Sequence, residues 1–125
     1  MPALPIIAIS IGDPNGVGVE IILKTFQDNS LFEQCIPVVY ANVDFVQKQQ
    51  LLFNTQVPLG LVEGAPKQGV LNIASIWQDT PEVAFGKQTA KAGVAAFESL
   101  QAAATAVQKG QADALVTAPI NIASI

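Results

Sequence analysis

The chain has 125 residues, half of them hydrophobic and only 13% charged, with a formal net charge of −4. That length is one domain's worth and can bury a real core. Charges are sparse against about 25% in an average globular protein, which leaves apolar surface in want of a partner surface. The six lysines are scattered without a basic stripe, so nucleic-acid binding by counterion release is excluded.

In chain order, Ile6, Ile7, Ala8, Ile9 and Ile11 predict a buried strand. Gly12-Asp13-Pro14-Asn15-Gly16-Val17-Gly18 follows as a tight, glycine-rich turn. Val19, Ile22, Leu23 and Phe26 then fall at i, i+3, i+4 and i+7, one face of a helix. Ile36 to Ala41 is a second strand, opened by Pro37, which fits a first or edge position. Asn42 or Asp44 caps a helix running to about Phe53. Val57 to Val62 is a short third strand ended by Gly64-Ala65-Pro66, and Val70 to Ile76 is another apolar run of strand length. Asp79-Thr80-Pro81-Glu82 is turn chemistry. Thr89 to Lys109 is the longest helical segment, with Val94, Phe97, Leu100, Ala104 and Val107 approximating one face and Gly110 as C-cap. Ala112 to Thr117 is a last buried strand.

Strand alternating with helix predicts a mostly parallel sheet with helices on both faces. Ligands of such sheets bind beyond the carboxyl ends of the strands. Gly12 to Gly18 and Thr117 to Asn121 each follow a strand directly, so they are expected on one edge and near each other. The first of them could hold an anion on exposed backbone N–H groups and the positive end of a helix dipole. Its spacing is G-x-x-x-G-x-G, neither a dinucleotide fingerprint nor a P-loop, and a compact strand-to-helix connection explains it equally. Asp13 fits a turn carboxylate that caps backbone N–H groups better than a ligand contact. Glu20 offsets the dipole of the helix it begins. For Thr117, at a strand end, ligand contact and local capping are both open. Trp77 and Tyr40 read as core or interface anchors whose polar atoms need partners if buried. Cys35 excludes an internal disulfide and, with no histidine to activate it, reads as a small apolar side chain.

Two stretches together carry a family resemblance. Gly12-Asp13-Pro14-Asn15-Gly16-Val17-Gly18-Val19-Glu20 matches the Gly-Asp/Glu-Pro-x-Gly-Ile/Val-Gly-x-Glu segment that follows the first strand in the PdxA family. These are the 4-hydroxythreonine-4-phosphate dehydrogenases of vitamin B6 synthesis. Thr117-Ala118-Pro119 matches that family's later Thr-Ala/Gly-Pro segment, and Phe85-Gly86-Lys87 and the alanine-rich helix are also similar. The whole chain, residues 1–125, thus resembles the N-terminal portion of such an enzyme, the first part of an isocitrate/isopropylmalate dehydrogenase-like fold.

The resemblance implies NAD(P)-dependent oxidation and decarboxylation of 4-phosphohydroxy-L-threonine in a homodimer, with NAD or NADP and a divalent metal as cofactors. It implies cofactor-side positions at Gly12, Asp13, Asn15, Gly16 and Gly18, and substrate-neighbouring positions at Thr117 and Asn121. The family holds its metal through histidines, and this chain has neither histidine nor arginine. Metal ligands and catalytic acid or base are therefore expected outside these residues, and the chain alone is expected to be inactive. Ile122 stands where the family commonly has Lys, which removes a cation from the Asn121 loop. Two other readings stay open, a nucleotide- or phosphate-binding module without chemistry and a purely structural fragment. No apolar run reaches membrane-spanning length and no basic segment opens the chain, so the cytoplasm is the expected location.

Overall fold

Five strands form one sheet in which every described pairing is parallel, in the order β3-β4-β2-β1-β5. The structure, a computed structural model, describes residues 3–81 and 89–118. Strands β1 (Ile6–Ser10), β2 (Ile36–Ala41), β3 (Leu59–Leu61), β4 (Leu71–Ser75) and β5 (Ala114–Thr117) alternate with helices α1 (Gly18–Phe26), α2 (Val43–Phe53) and α3 (Ala90–Gln108). A short 3-10 helix, Asn29–Glu33, precedes β2. Each expected element forms, with ends shifted by one or two residues.

The helix ends follow from local chemistry. Asn42, not Asp44, caps α2 by accepting the Phe45 N–H at 2.8 Å, and Asn54 ends that helix in the left-handed conformation. Thr89 caps α3 by accepting the Ala92 N–H at 3.1 Å, and Gly110, at φ 75°, lies just beyond its end. Pro37 opens a strand that is central rather than an edge. Its carbonyl accepts from the Asn72 side chain at 3.0 Å, and the preceding Ile36 N–H is satisfied by Pro5.

Alternation along the strands sends two sets of side chains to two faces. Ile9, Val39 and Ile73 meet α1 and α2 through Leu23, Phe26, Phe45 and Val46, forming the main core. Ala8 faces the other way, against Ala103 and Ala106 of α3.

Two expectations are corrected here. The face of α3 that meets the sheet is the small one, with Ala92, Ala95, Ala96, Ser99, Ala103 and Ala106 buried, while Val94 and Phe97 are 58% and 49% exposed. Alanines let the helix lie close to the sheet, where Phe97 would hold it off. Nor is the last strand buried, since all four residues of β5 are exposed and, among the described residues, the strand is an edge.

Candidate functional site

The carboxyl ends of β1 and β5 lie side by side, and both sequence motifs begin there. Ser10 pairs with Thr117 at the end of the β1–β5 ladder. The Ser10 hydroxyl donates to Thr117 Oγ1 at 2.6 Å, and the Ala118 N–H donates to the Ser10 carbonyl at 3.0 Å. Gly18, the first residue of α1, packs against the same point. A Cβ built on it would lie 2.4 Å from the Ile11 carbonyl oxygen and 2.8 Å from Ala118 Cβ. The expected proximity of the two motifs therefore holds as far as Ala118. Asn121 and Ile122 lie outside the described residues.

The Gly12–Gly18 turn closes on itself. Gly12 turns the chain at φ 71°. Asp13 is buried, and its Oδ1 accepts the Asn15 N–H at 2.9 Å while its carbonyl accepts the Gly16 N–H at 2.9 Å. The carboxylate is thus a turn-closing group, and two N–H groups that could have met an anion are already engaged. Gly16 is not required by conformation or by crowding. Its φ is not positive, and a Cβ there meets Asp13 at 3.4–3.5 Å, ordinary contact.

Ser99 joins α3 to the same edge. Its side chain, fully buried, accepts the Ile11 N–H at 3.1 Å and donates to the Tyr40 carbonyl at 2.6 Å. The β1–β2 ladder ends at the Ser10–Tyr40 pair, so this hydroxyl satisfies two backbone groups where the strands part.

Beside this point a cleft of about 410 Å³ opens between the turn, the segment after β4 and the start of α3. Asn15, Trp77, Asp79, Thr80, Thr89 and Lys91 line it. The Asn15 side-chain amide makes a long hydrogen bond, 3.5 Å, to the Thr89 hydroxyl that caps α3. Thr80 is tied to α2, donating to Asp44 at 2.5 Å and accepting from the Asn42 side chain at 3.3 Å. The Thr80 bond, followed by a bond to Lys48, holds the Asp44 carboxyl below its ordinary value. Trp77 stands edge-on to Phe45, with ring centres 5.4 Å apart, and is 8% exposed. Among the described residues its Nε1 has no hydrogen-bond partner, an orphaned donor of the kind the sequence warned of.

Thr89, Lys91, Thr80 and Ser99 were not singled out from the sequence as site residues. Thr89 carried the signal of an N-cap before an apolar period, whereas nothing in the chain order marks Ser99 as a joint between strands. Glu20 pairs with Lys24 one helical turn away, and Cys35 packs half-buried against the core, its thiol pushed up by desolvation; neither belongs to the site. A larger, more open hollow of about 890 Å³ lies by Leu4, Phe32 and Pro58, at the amino ends of the strands. It holds neither motif, and sheets of this kind bind ligands at the opposite edge.

The cleft can bind and orient a polar ligand through amide, hydroxyl and ammonium groups. A metal does not fit the donors present. The chain has no histidine, and among the described residues no three carboxylates or thiols gather where they could hold an ion.

The model of the family described as pyridoxal phosphate biosynthetic protein PdxA matches residues 33–125. A 4-hydroxythreonine-4-phosphate dehydrogenase of Bacteroides thetaiotaomicron is 36% identical over 92% of this chain and 32% of its own length. A putative D-threonate 4-phosphate dehydrogenase of Clostridium botulinum is 31% identical over 97% of this chain and 38% of its own. The crystal structure of a 4-hydroxythreonine-4-phosphate dehydrogenase from Burkholderia phymatum superposes with a TM-score of 0.86 at 28% identity, over 98% of this chain and 38% of that one. The chain spans about a third of the length of these relatives. With its parallel sheet and its two motifs meeting at one edge, it belongs to the PdxA family and carries part of the isocitrate/isopropylmalate dehydrogenase-like fold.

Proposed function

We propose that the chain is the N-terminal part of an NAD(P)-dependent dehydrogenase that oxidises the secondary hydroxyl of 4-phosphohydroxy-L-threonine, with decarboxylation of the resulting 3-keto acid, in pyridoxal 5'-phosphate synthesis. The observation that carries this reading is the meeting of the two motifs, with Gly18 against Ala118 and Ser10 bonded to Thr117, beside a polar cleft. Asn15 is the member of the turn with a side chain on that cleft, and we assign it to the cofactor-side wall with Gly12, Asp13, Gly16 and Gly18 behind it. Thr117 and Asn121 neighbour the substrate in this reading. A bound nicotinamide supplies the hydride acceptor. The chain's part is to hold and orient ligands and to keep the edge of the sheet rigid, not to supply an acid or base. A divalent metal, if the complete enzyme uses one, takes its ligands from outside these residues. The complete enzyme is proposed to be a cytoplasmic homodimer; among the described residues no helix is long and apolar enough to cross a membrane.

The similarity to a putative D-threonate 4-phosphate dehydrogenase favours a second substrate of the same class, a phosphorylated hydroxy acid. One assay separates the possibilities. The chain is joined to the region that the Bacteroides thetaiotaomicron relative carries outside the match, and reduction of NAD and NADP is followed with each substrate. Turnover with one of them identifies it. Binding of NAD, NADP or phosphate in equilibrium dialysis by a joined protein that turns over neither substrate favours the binding module.

A further inference from the structure

We infer that Ser10 is a positioning residue: its buried hydroxyl donates to Thr117 and so leaves the Thr117 hydroxyl free to donate to an anionic oxygen of the substrate. In the proposed function, on which this rests, Thr117 neighbours the substrate. Added here are the direction of that contact and the residue that sets it.

The direction follows from burial. Ser10 is fully buried, and among the described residues its hydroxyl has one hydrogen-bond partner, Thr117 Oγ1 at 2.6 Å. If Thr117 were the donor, the Ser10 hydrogen would sit in the interior with no acceptor, a cost that buried hydroxyls avoid. Ser10 therefore donates and Thr117 accepts. The Thr117 hydrogen then points to another group. Among the described residues its one acceptor is the Ala118 carbonyl at 3.2 Å, longer than an O–H···O bond of ordinary strength. A ligand oxygen can replace that weak contact. The bond from Ser10 polarises the Thr117 hydroxyl and strengthens what it donates, and a charged acceptor gains most from such a donor.

Holding the strands together does not require this bond. Their ends are already joined by the Ala118 N–H, which donates to the Ser10 carbonyl at 3.0 Å, and by the ladder that pairs Ile9 with Val116. Ser99, buried at the same edge, shows the structural use of a serine hydroxyl. It accepts from the Ile11 N–H and donates to the Tyr40 carbonyl, both of them backbone groups. Ser10 gives its hydrogen to a side chain instead, and that side chain belongs to an exposed residue. Thr117 closes β5 at its carboxyl end, where parallel sheets bind their ligands.

The test is a double-mutant cycle in the chain joined to the region that the Bacteroides thetaiotaomicron relative carries outside the match. KM and kcat are measured with whichever of the two substrates is turned over. Thr117→Val should raise KM about tenfold, the factor for one hydrogen bond to a charged group at the weak end of its range. The change in kcat should be smaller, because the contacted oxygen keeps its charge as hydride leaves the carbon. Ser10→Ala should raise KM about threefold or more in the parent and not at all in the Thr117→Val background. Ser10→Cys, a weaker donor of similar shape, should fall between serine and alanine. An equal effect of Ser10→Ala in both backgrounds overturns the inference, since Ser10 would then act independently of Thr117. So does a folded Ser10→Ala protein with the parental KM, or a loss confined to kcat or to the urea midpoint. A joined parent that turns over neither substrate defeats the proposed function and this inference with it. A parent that turns over, with variants that fail the cycle, defeats the inference alone.

Discussion

Gly16 and Gly18 stand two residues apart and answer to different constraints. At Gly18 a side chain collides with backbone and with the end of β5, so Gly18→Ala should destabilise the fold by about 1–3 kcal/mol, the cost of overpacking. At Gly16 the added methyl meets ordinary contact, and Gly16→Ala should change stability by less than about 1 kcal/mol. Urea denaturation midpoints compare the two directly, and equal losses would remove the close approach of α1 to β5 from the account. Ser99→Ala leaves the Ile11 N–H and the Tyr40 carbonyl unpaired in a buried place and should cost about 1–3 kcal/mol. A Ser99→Ala protein as stable as the parent would mean that the joint between the strands has another support. The spacing of glycines revealed the turn but not which glycine was indispensable, because a sequence pattern does not show what each Cβ would meet. Asp13 was legible as a turn carboxylate because its partner lies only two residues away. Ser99, whose partners are 59 and 88 residues away, was not.

At the scale of elements, the order of strands and helices could be read from the chain because parallel strands covered on both faces appear as unbroken apolar runs. Asparagine, threonine and glycine marked the helix ends. What could not be read was which of two apolar sides of α3 faces the sheet. The 3.6-residue period supports both, and the choice falls to the alanines because only they allow close packing. For the same reason β5, apolar in every residue but one, read as buried when it is an exposed edge. The connection from β4 to α3 supplies a test at this scale. Thr80 is held by Asp44, whose carboxyl titrates below its ordinary value through its bonds to Thr80 and then Lys48. A depressed carboxyl stabilises above its unfolded value, and the contribution disappears as pH falls through the folded one, that is, below about 4. Fluorescence of Trp77, the chain's single tryptophan, should therefore report a loosening in that acid range. Asp44→Asn should remove that step while leaving the spectrum at neutral pH little changed. Acid profiles that coincide for parent and variant would show that Asp44 does not anchor the segment.

For the whole molecule, sparse charge, exposed apolar side chains on β5 and α3, and relatives three times as long support the proposed reading, in which the chain builds one edge of a site that other residues finish. Family membership was legible from two motifs about a hundred residues apart, and the sheet explains why those motifs belong together. The proposed reading divides the work between this chain and a region that its relatives carry outside the match. The measurement that tests it most directly is reduction of NAD or NADP with 4-phosphohydroxy-L-threonine or D-threonate 4-phosphate and a divalent metal. It is made once on the pure chain and once on its complex with the unmatched region of a relative. No turnover above background is expected for the chain alone, and metal-dependent turnover is expected for the complex. Turnover by the chain alone, or a complex that forms and stays silent with both substrates, would contradict it.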